Sequence, residues 1–340
     1  MARGERPMRT AHRISLRRLA AVSLIVGVSA FHAQRVLAVD RLVGLHSAQV
    51  MSQSMPWIAQ EAGLFKKYDL DFRLVFIPSS PVATAATLNG DAEIGVTGAV
   101  GNVRAYVQGF TDLVFIGGIK NILTHSVLGK PDIKRPEDLK GKKVGVGRFG
   151  GNTHYFVIQA LKRLGMDATK DIQTIQTGGG PETLAALLSG NLDAAGLVAP
   201  GDSAAAARGY RYVINGPELR IPYGAAQFVT LRSVITKRRA VLGRFMRVMA
   251  EASKILHTDK NFVYKVLGKY LRITDTKVLD AAYQSEIPAL ERRLEVSEAA
   301  LQASLDEIAP QDARAKSIKP QDMIDRRYLV ELEKSGVFDK

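Results

Sequence analysis

The sequence contains no cysteine and a single tryptophan. The first absence excludes disulfides, thiolate zinc sites, a cysteine nucleophile and the lipid-modified cysteine of a bacterial lipoprotein. Also missing is a run long enough to cross a bilayer. Leu19 to Phe31 is uncharged but spans only thirteen residues, interrupted by Ser23, Gly27 and Ser29, where about 20 are needed. Acids are nearly absent from residues 1–38, which carry seven Arg, no Lys and only Glu5. Arg3, Arg6, Arg9, Arg13, Arg17 and Arg18 precede the apolar stretch, and Val36-Leu37-Ala38 follows it. That order of basic region, apolar region and small-residue site is an export signal. Cleavage is expected after Ala38, leaving a mature chain beyond the inner membrane. Arg17-Arg18 is followed by Leu19-Ala20-Ala21 with no aromatic residue, so the twin-arginine pattern is incomplete.

Over the whole chain 47 basic residues face 33 acidic ones, a net +14. Taking away the seven Arg and one Glu of the signal leaves +8. A surplus of that size, with clusters such as Lys237-Arg238-Arg239 on helix faces, reads as solvated surface, and no nucleic-acid partner is expected. The 340 residues, 46% of them hydrophobic, are enough for two globular units.

The chain repeats itself at an offset of 100 residues. Asp71 to Glu93 aligns without a gap on Asp171 to Asp193, with Asp71, Pro81, Ala85, Ala86, Leu88 and Gly90 recurring as Asp171, Pro181, Ala185, Ala186, Leu188 and Gly190. The order of structural signals is the stronger evidence of a repeat. A strand over Phe72–Ile77 enters Ser79-Ser80-Pro81, a helix runs to Leu88, Asn89-Gly90 stops it, and a strand Ile94–Thr97 follows. In the second copy Ile172–Gln176 enters Gly178-Gly179-Gly180-Pro181, a helix runs to Leu188, Ser189-Gly190 stops it, and Ala194–Val198 follows. Proline in the first turn and glycine past the last are the punctuation of a helix. Upstream, Arg41-Leu42-Val43-Gly44 matches Lys142-Lys143-Val144-Gly145, each followed by a loop and a helix, Met55–Ala62 and Thr153–Leu164. Both halves therefore begin βαβαβ, which predicts an α/β protein of two mostly parallel sheets with helices on both faces.

Open sheets of this kind bind ligands at the carboxyl ends of their strands, beside helix N-termini. In the first half those loops hold His46, Ser47 and Gln49, then Ser79 and Ser80, then Thr97 and Gly98. In the second they hold Arg148, Gly151, Asn152 and Thr153, then Gly179, then Asp202 after Ala199-Pro200-Gly201. Lys120 ends the strand Leu113–Ile119. After Gln227-Phe228-Val229-Thr230 come amphipathic helices, marked by Leu242, Phe245, Met246 and Met249 at helical spacing, which are expected to cover the first lobe.

Gly145-Val146-Gly147-Arg148-Phe149-Gly150 spells G-x-G-x-x-G, so a nicotinamide-dinucleotide oxidoreductase using Gly145, Gly147 and Gly150 is the enzyme alternative. Against it, the next strand ends at Gln176-Thr177 where an acid should hold the ribose, and Gly145 sits inside its strand. There is no G-x-S-x-G, no H-E-x-x-H and no phosphate-cradling G-K-[ST] loop. His46, His125, His154 and His257 have no pair spacing for a metal; no cofactor and no metal are expected. Trp57, next to Pro56, reads as core.

Four strings identify a resemblance: Glu61-Ala62-Gly63-Leu64-Phe65-Lys66-Lys67-Tyr68, Leu88-Asn89-Gly90-Asp91, Asp138-Leu139-Lys140-Gly141-Lys142-Lys143-Val144-Gly145-Val146 and Asn152-Thr153-His154-Tyr155. Over residues 40 to 340 the chain resembles the solute-binding proteins of nitrate, taurine and sulfonate ABC importers, a family sharing its domain with thiamine-pyrimidine synthesis proteins. The resemblance implies a two-lobed periplasmic-binding-protein-like fold, with residues 39–124 and 229–340 as lobe I, 125–228 as lobe II, and a hinge between them. It implies a periplasmic monomer that closes on a small solute and delivers it to a permease with a cytoplasmic ATPase, without catalysis. The enzymatic thiamine branch carries a cysteine-rich motif that this chain lacks, and a pyrimidine-binding relative is the second alternative. Val198-Ala199-Pro200-Gly201-Asp202 departs from the Trp-Asp-Pro-Tyr-like string of many sulfonate binders, so alkanesulfonate itself is not carried over. Hinge rotation is expected near Thr124–Val127 and Ala226–Thr230. Arg148 and Lys120 are the expected cations for an anionic solute, and Asp202 the partner of an ammonium on it.

Overall fold

The computed structural model describes residues 39–339; the expected signal and its cleavage site after Ala38 lie outside them. Among the described residues ten strands form two five-stranded sheets. The first sheet contains β1 (Asp40–His46), β2 (Leu70–Phe76), β3 (Ile94–Thr97), β4 (Leu113–Leu123) and β10 (Ile221–Leu231) in the order β2-β1-β3-β10-β4. The second contains β5 (Ser126–Gly129), β6 (Lys143–Val146), β7 (Gln173–Gln176), β8 (Ala194–Leu197) and β9 (Arg211–Ile214) in the order β7-β6-β8-β5-β9. Each sheet has one antiparallel strand, β10 or β5, among four that run together. The two orders correspond strand for strand, so the 100-residue repeat is a repeat of architecture.

In the first half the helices are α1 (Met55–Glu61), α2 (Leu64–Lys67), α3 (Ser80–Leu88) and α4 (Ala99–Val107). In the second they are α5 (Asn152–Arg163), α6 (Gly180–Leu188), α7 (Gly201–Ala206) and α8 (Gly216–Leu219). The proline and glycine punctuation acts where the sequence places it: Pro81 and Pro181 sit in first turns, and Gly90 and Gly190 take φ of +82° and +81° just past the ends. A side chain other than glycine is strained there. Gly44 and Gly145 serve a different need. A Cβ would fall 2.5 Å from Phe72 Cζ at the first and 2.3 Å from Leu192 Cδ1 at the second, so both strands require glycine for close packing. Gly145, first of the G-x-G-x-x-G glycines, is thus a buried packing residue within β6.

The C-terminal helices are α9 (Arg232–Thr258), α10 (Lys260–Leu271), α11 (Thr276–Glu286), α12 (Glu298–Ile308) and α13 (Arg327–Lys334). Leu242, Phe245, Met246 and Met249 of α9 are completely buried in one core with Leu42, Ile94, Val96 and Phe228 of the first sheet. Each such side chain contributes about 1.5–3 kcal/mol through burial. These helices also reach the second lobe, beyond the expected cover of the first. Leu301, Leu305 and Ile308 of α12 share a core with Tyr155 and Phe156 of α5, and Gln159 Nε2 donates to Glu307 Oε2 at 2.8 Å.

The hinge requires a correction. The chain leaves the first sheet at Leu123 and enters the second at Ser126, which leaves Thr124 and His125 as the first crossing. It returns between Ile214 and Ile221, so the second crossing precedes Ala226–Thr230, which lie inside β10 with Gln227, Phe228 and Val229 paired to β3. Pro222 and Gly224 make the start of β10 read as a loop. The strand tolerates them because its register with β4 is irregular between Pro222 and Ala226, and such bulges admit proline and glycine. Ile221 and Pro222 pair with Leu123 and Ile122, so the two connections run side by side.

Candidate functional site

The carboxyl ends of β1, β6 and their neighbours open onto one cleft enclosing about 660 Å³, part of it open to solvent. Its first wall carries Ser47, Ala48, Ser52 and Gln53 after β1, with Ser79 and Ser80 at the start of α3. Its second wall carries Gly147, Arg148, Gly151, Asn152 and Thr153 between β6 and α5, with Gly178, Gly179 and Gly180 at the start of α6. Lys120, His125 and Ala225 close the base between them.

Three helices, α3, α5 and α6, therefore present their N-termini to the cleft, and none has a side-chain cap. The first N–H groups of a helix have no acceptor within it, and with the helix dipole they make an anion site. Their N-caps are Ser79, Gly151 and Gly179. Ser79 holds a left-handed φ of 79°, and its Oγ is buried with no hydrogen-bond partner. A strained backbone and an unsatisfied hydroxyl at a cleft wall are features that a bound ligand resolves. Arg148 stands at the rim, and its guanidinium has no hydrogen-bond or ion-pair partner among the described residues.

Asn152 joins the walls. Its Nδ2 donates to the carbonyl of Ala225 at 2.8 Å, and its Oδ1 accepts from the Tyr223 hydroxyl at 3.0 Å and from Ser80 Oγ at 3.4 Å. Gly98 lies directly beneath: a Cβ there would fall 2.0 Å from Asn152 Oδ1, and Gly98 N–H donates to Ser80 Oγ at 3.1 Å.

The base is electrostatically self-contained. Lys120 Nζ is 2.7 Å from Glu286 Oε2 and donates to Thr124 Oγ1 at 2.8 Å, with both charged side chains almost wholly buried. Thr124 also donates to the other Glu286 oxygen. Burial, aided by the Lys120 charge, pushes the His125 pKa down to about 3, so the imidazole is neutral at ordinary pH. It lies against Phe156 with its Nδ1 unpartnered.

Nine residues expected from the sequence line this cleft: Ser47, Ser79, Ser80, Lys120, Arg148, Gly151, Asn152, Thr153 and Gly179. Five are placed elsewhere. His46 is buried against Trp57 and Phe76, its Nδ1 3.0 Å from the Ala48 carbonyl, facing an outer groove. Gln49 lines that groove and also a cavity that adjoins the cleft at Val50, Thr153, Gly180 and Val198. Thr97 is fully buried, and Gly98 only supports Asn152. Asp202 is buried behind the wall, its Oδ1 accepting from the Ser203 N–H at 2.6 Å. Burial pushes the Asp202 pKa up to about 6, and the nearby Glu286 adds to the rise. Gln53 and His125 were not legible as site residues. Gln53 Oε1 accepts from the N–H groups of Ser47 and Ala48, both at 2.9 Å, and so fills the backbone donors at the end of β1. Its place on a short 3₁₀ turn, Met51–Gln53, gave no periodic signal. Trp57 is core, stacked on Tyr270 with ring centroids 5.1 Å apart.

A family model described as NMT1/THI5 like matches residues 54–260, more than half of the chain. The chain belongs to the NMT1/THI5-like family. The NMT1/THI5-like match contains α3, α5 and α6 and both crossings, but neither β1 nor Ser47. A Brucella abortus protein, provisionally named a binding protein, is 30% identical over 154 residues, 45% of this chain and 46% of that protein. The match thus spans about half the length of the curated relatives. Among solved structures, the alkanesulfonate-binding protein SsuA of Xanthomonas axonopodis pv. citri, bound to MOPS, is similar with TM-score 0.71 and 21% identity. It covers 84% of this chain and 98% of that one. The periplasmic aliphatic sulphonate binding protein SsuA of Escherichia coli gives 0.68 and 22%, over 84% and 92%. The architecture is the periplasmic-binding-protein fold. The desulfurization enzyme DSZB is similar to this chain, with TM-score 0.68, 12% identity and cover of 87% and 99%, so this fold houses binding proteins and an enzyme alike.

Proposed function

We propose that this chain is the periplasmic solute-binding component of an ABC importer, binding a small organic anion, a sulfonate or carboxylate, between its lobes. The observation that carries the reading is the convergence of three helix N-termini without side-chain caps, one from the first lobe and two from the second, on a cleft whose rim holds Arg148, unpaired among the described residues. Oriented N–H groups and a guanidinium bind an anion from both sides, so the ligand stabilises the closed arrangement over the open one. The paired strands at the crossings let the lobes rotate while their sheets stay intact. A monomer closed in this way presents one surface to a permease with its cytoplasmic ATPase, and the solute passes on unchanged. The export signal read from residues 1–38 and the periplasmic relatives support that location.

Thermal-shift screening of the mature chain with sulfonates, carboxylates, pyrimidines and nicotinamide dinucleotides tests this reading. Ligand at a hundred times Kd adds about 2.7 kcal/mol to stability. Sulfonates or carboxylates are expected to raise the melting temperature. A rise with dinucleotide alone would favour the oxidoreductase, and one with pyrimidines alone the thiamine-precursor relative. Calorimetry on Arg148→Ala should then show loss of a charge-assisted contact, about 1.5–3 kcal/mol, or roughly 10- to 150-fold in Kd. A loss below about fivefold would remove Arg148 as anchor.

A further inference from the structure

The end of the first lobe away from the cleft holds a cationic recess. It encloses about 1060 Å³, part of it open to solvent, and its lining includes Arg239, Arg244 and Arg247 of α9 with Tyr328 and Glu331 of α13. At about 100° of turn per residue, Gly243 falls between Arg239 and Arg247 on the helix face, and Ala240 between Arg247 and Arg244. Two small residues thus open a hollow among three long cations. A Cβ on Gly243 would lie 3.7 Å from Tyr328 Cε1, which makes the Tyr328 ring the floor. That ring is buried, and its hydroxyl has no hydrogen-bond partner among the described residues.

The charges around the recess do not cancel. Arg239 is 2.7 Å from Glu331, and Arg244 pairs with Asp40. Arg247 has no hydrogen-bond or ion-pair partner among the described residues. Glu251, one turn further along α9, is taken by Lys67 Nζ at 2.7 Å and by the Tyr68 hydroxyl. Asp40 begins β1, and Tyr68, whose carbonyl accepts from Arg244 at 3.4 Å, precedes β2. The recess therefore lies at the amino ends of these strands and the cleft at their carboxyl ends, about 20 Å apart along the seven residues of β1.

We propose that this recess is a second, independent binding site for a phosphate group, carried by a lipid headgroup or by a soluble phosphate ester. A carboxylate has two oxygens and is filled by one guanidinium fork, whereas a phosphate offers acceptors to several forks at once. Three arginines around one hollow, over a floor with an unsatisfied hydroxyl, match the phosphate. All of the lining comes from the first lobe, so occupation leaves the hinge free to close on solute.

Calorimetry with glycerol phosphate, and co-sedimentation with vesicles of phosphatidylglycerol in phosphatidylcholine against phosphatidylcholine alone, test the site on the mature chain. Salt at about 0.15 M screens exposed charges. Binding of glycerol phosphate identifies a soluble ester, and retention by phosphatidylglycerol vesicles alone identifies a headgroup. In either case Arg247→Ala should lower affinity at least about tenfold, the loss of a charge-assisted contact. Gly243→Leu keeps every charge, suits a helix better and covers the floor, so it should abolish binding. Lys237→Ala, an exposed cation outside the recess, should change affinity by about twofold or less. Equal losses in Lys237→Ala and Arg247→Ala, or undiminished binding by Gly243→Leu, would show diffuse attraction to a basic surface and overturn the site. Equal retention by phosphatidylcholine alone without glycerol phosphate binding, or failure of wild type to bind either probe, would overturn it as well. Should Gly243→Leu melt below wild type, the comparison of Arg247→Ala with Lys237→Ala decides.

Discussion

Replacing Lys120 separates two roles for that residue, ligand anchor and structural counter-ion. The expectation from sequence was an anion anchor, but Lys120 is paired with Glu286 at 2.7 Å and both are almost completely buried. Removing one member of such a pair strands the other charge in the interior, at a cost of about 3–5 kcal/mol. Lys120→Met leaves Glu286 with Thr124 and a nearby Asp202, an acid that adds no compensation. Glu286→Gln leaves the ammonium with Thr124 and an amide oxygen. At about 2 °C per kcal/mol for a chain of this size, each single variant should melt about 6–10 °C below wild type. Replacing both, Lys120→Met with Glu286→Gln, should recover much of the loss, since two neutral groups of similar shape need no counter-ion. Calorimetric melts without ligand measure this directly. Single variants that melt within about 2 °C of wild type, combined with a large loss of affinity for a bound sulfonate or carboxylate, would refute the structural role and restore Lys120 as the anchor.

Asp202 supplies a pH test. Its folded pKa of about 6 lies above the ordinary 3.8, so the native state holds its proton more tightly than the unfolded chain. The associated stabilisation is complete below about pH 4 and disappears as pH rises through about 6, at most about 3 kcal/mol. The melting temperature of Asp202→Asn relative to wild type should be near zero at pH 4 and positive at pH 7.5, and a difference independent of pH would refute the assignment. His125 acts in the opposite sense, because its pKa is depressed to about 3 from 6.5. Stability is lost as pH falls below about 6.5, and His125→Phe should remove that acid-side decline, measured as the slope of melting temperature between pH 4 and 6.5. Gly98→Ala places a Cβ against Asn152 Oδ1 and should displace the hydrogen bonds to Tyr223 and Ser80, at about 1–3 kcal/mol. Its readouts are weaker solute affinity and a larger radius of gyration by small-angle scattering; unchanged values for both would show that Asn152 does not hold the lobes.

The elements whose determinants are local were legible. Pro81 with Gly90 and Pro181 with Gly190 bracket their helices, and their periodic spacing in the sequence exposed the repeat. That repeat placed the starts of α3, α5 and α6 on one side, which is why Ser79, Ser80, Arg148 and Asn152 were found together. What escaped depends on pairing between distant residues. Lys120 and Glu286 are 166 positions apart, so nothing near either one reveals that the charge is already neutralised. The side chain of Gln53 is informative only once it is seen to occupy the N–H groups of Ser47 and Ala48. The second crossing was displaced because Pro222 and Gly224 have the local character of a turn, and only pairing with β4 makes them strand.

The position of β10 bears on how the molecule is made. Among the strands described, β4 borders β10 alone, beyond isolated bridges to Leu290 and Ile324 later in the chain, and β10 also borders β3. As the chain is synthesised from its amino terminus, β1, β2 and β3 emerge together, while β4 has nothing to pair with until residues 221–231 appear. The second sheet is assembled entirely from residues 126–214 and is finished in the interval. The half of the protein that starts first is thus completed last, and its largest gap is closed across roughly a hundred intervening residues, a slow kind of contact to form. A polypeptide that stays incomplete until late remains threadable for longer. Cutting out the second lobe needs one continuous fragment, whereas isolating the first needs two pieces and a new covalent link.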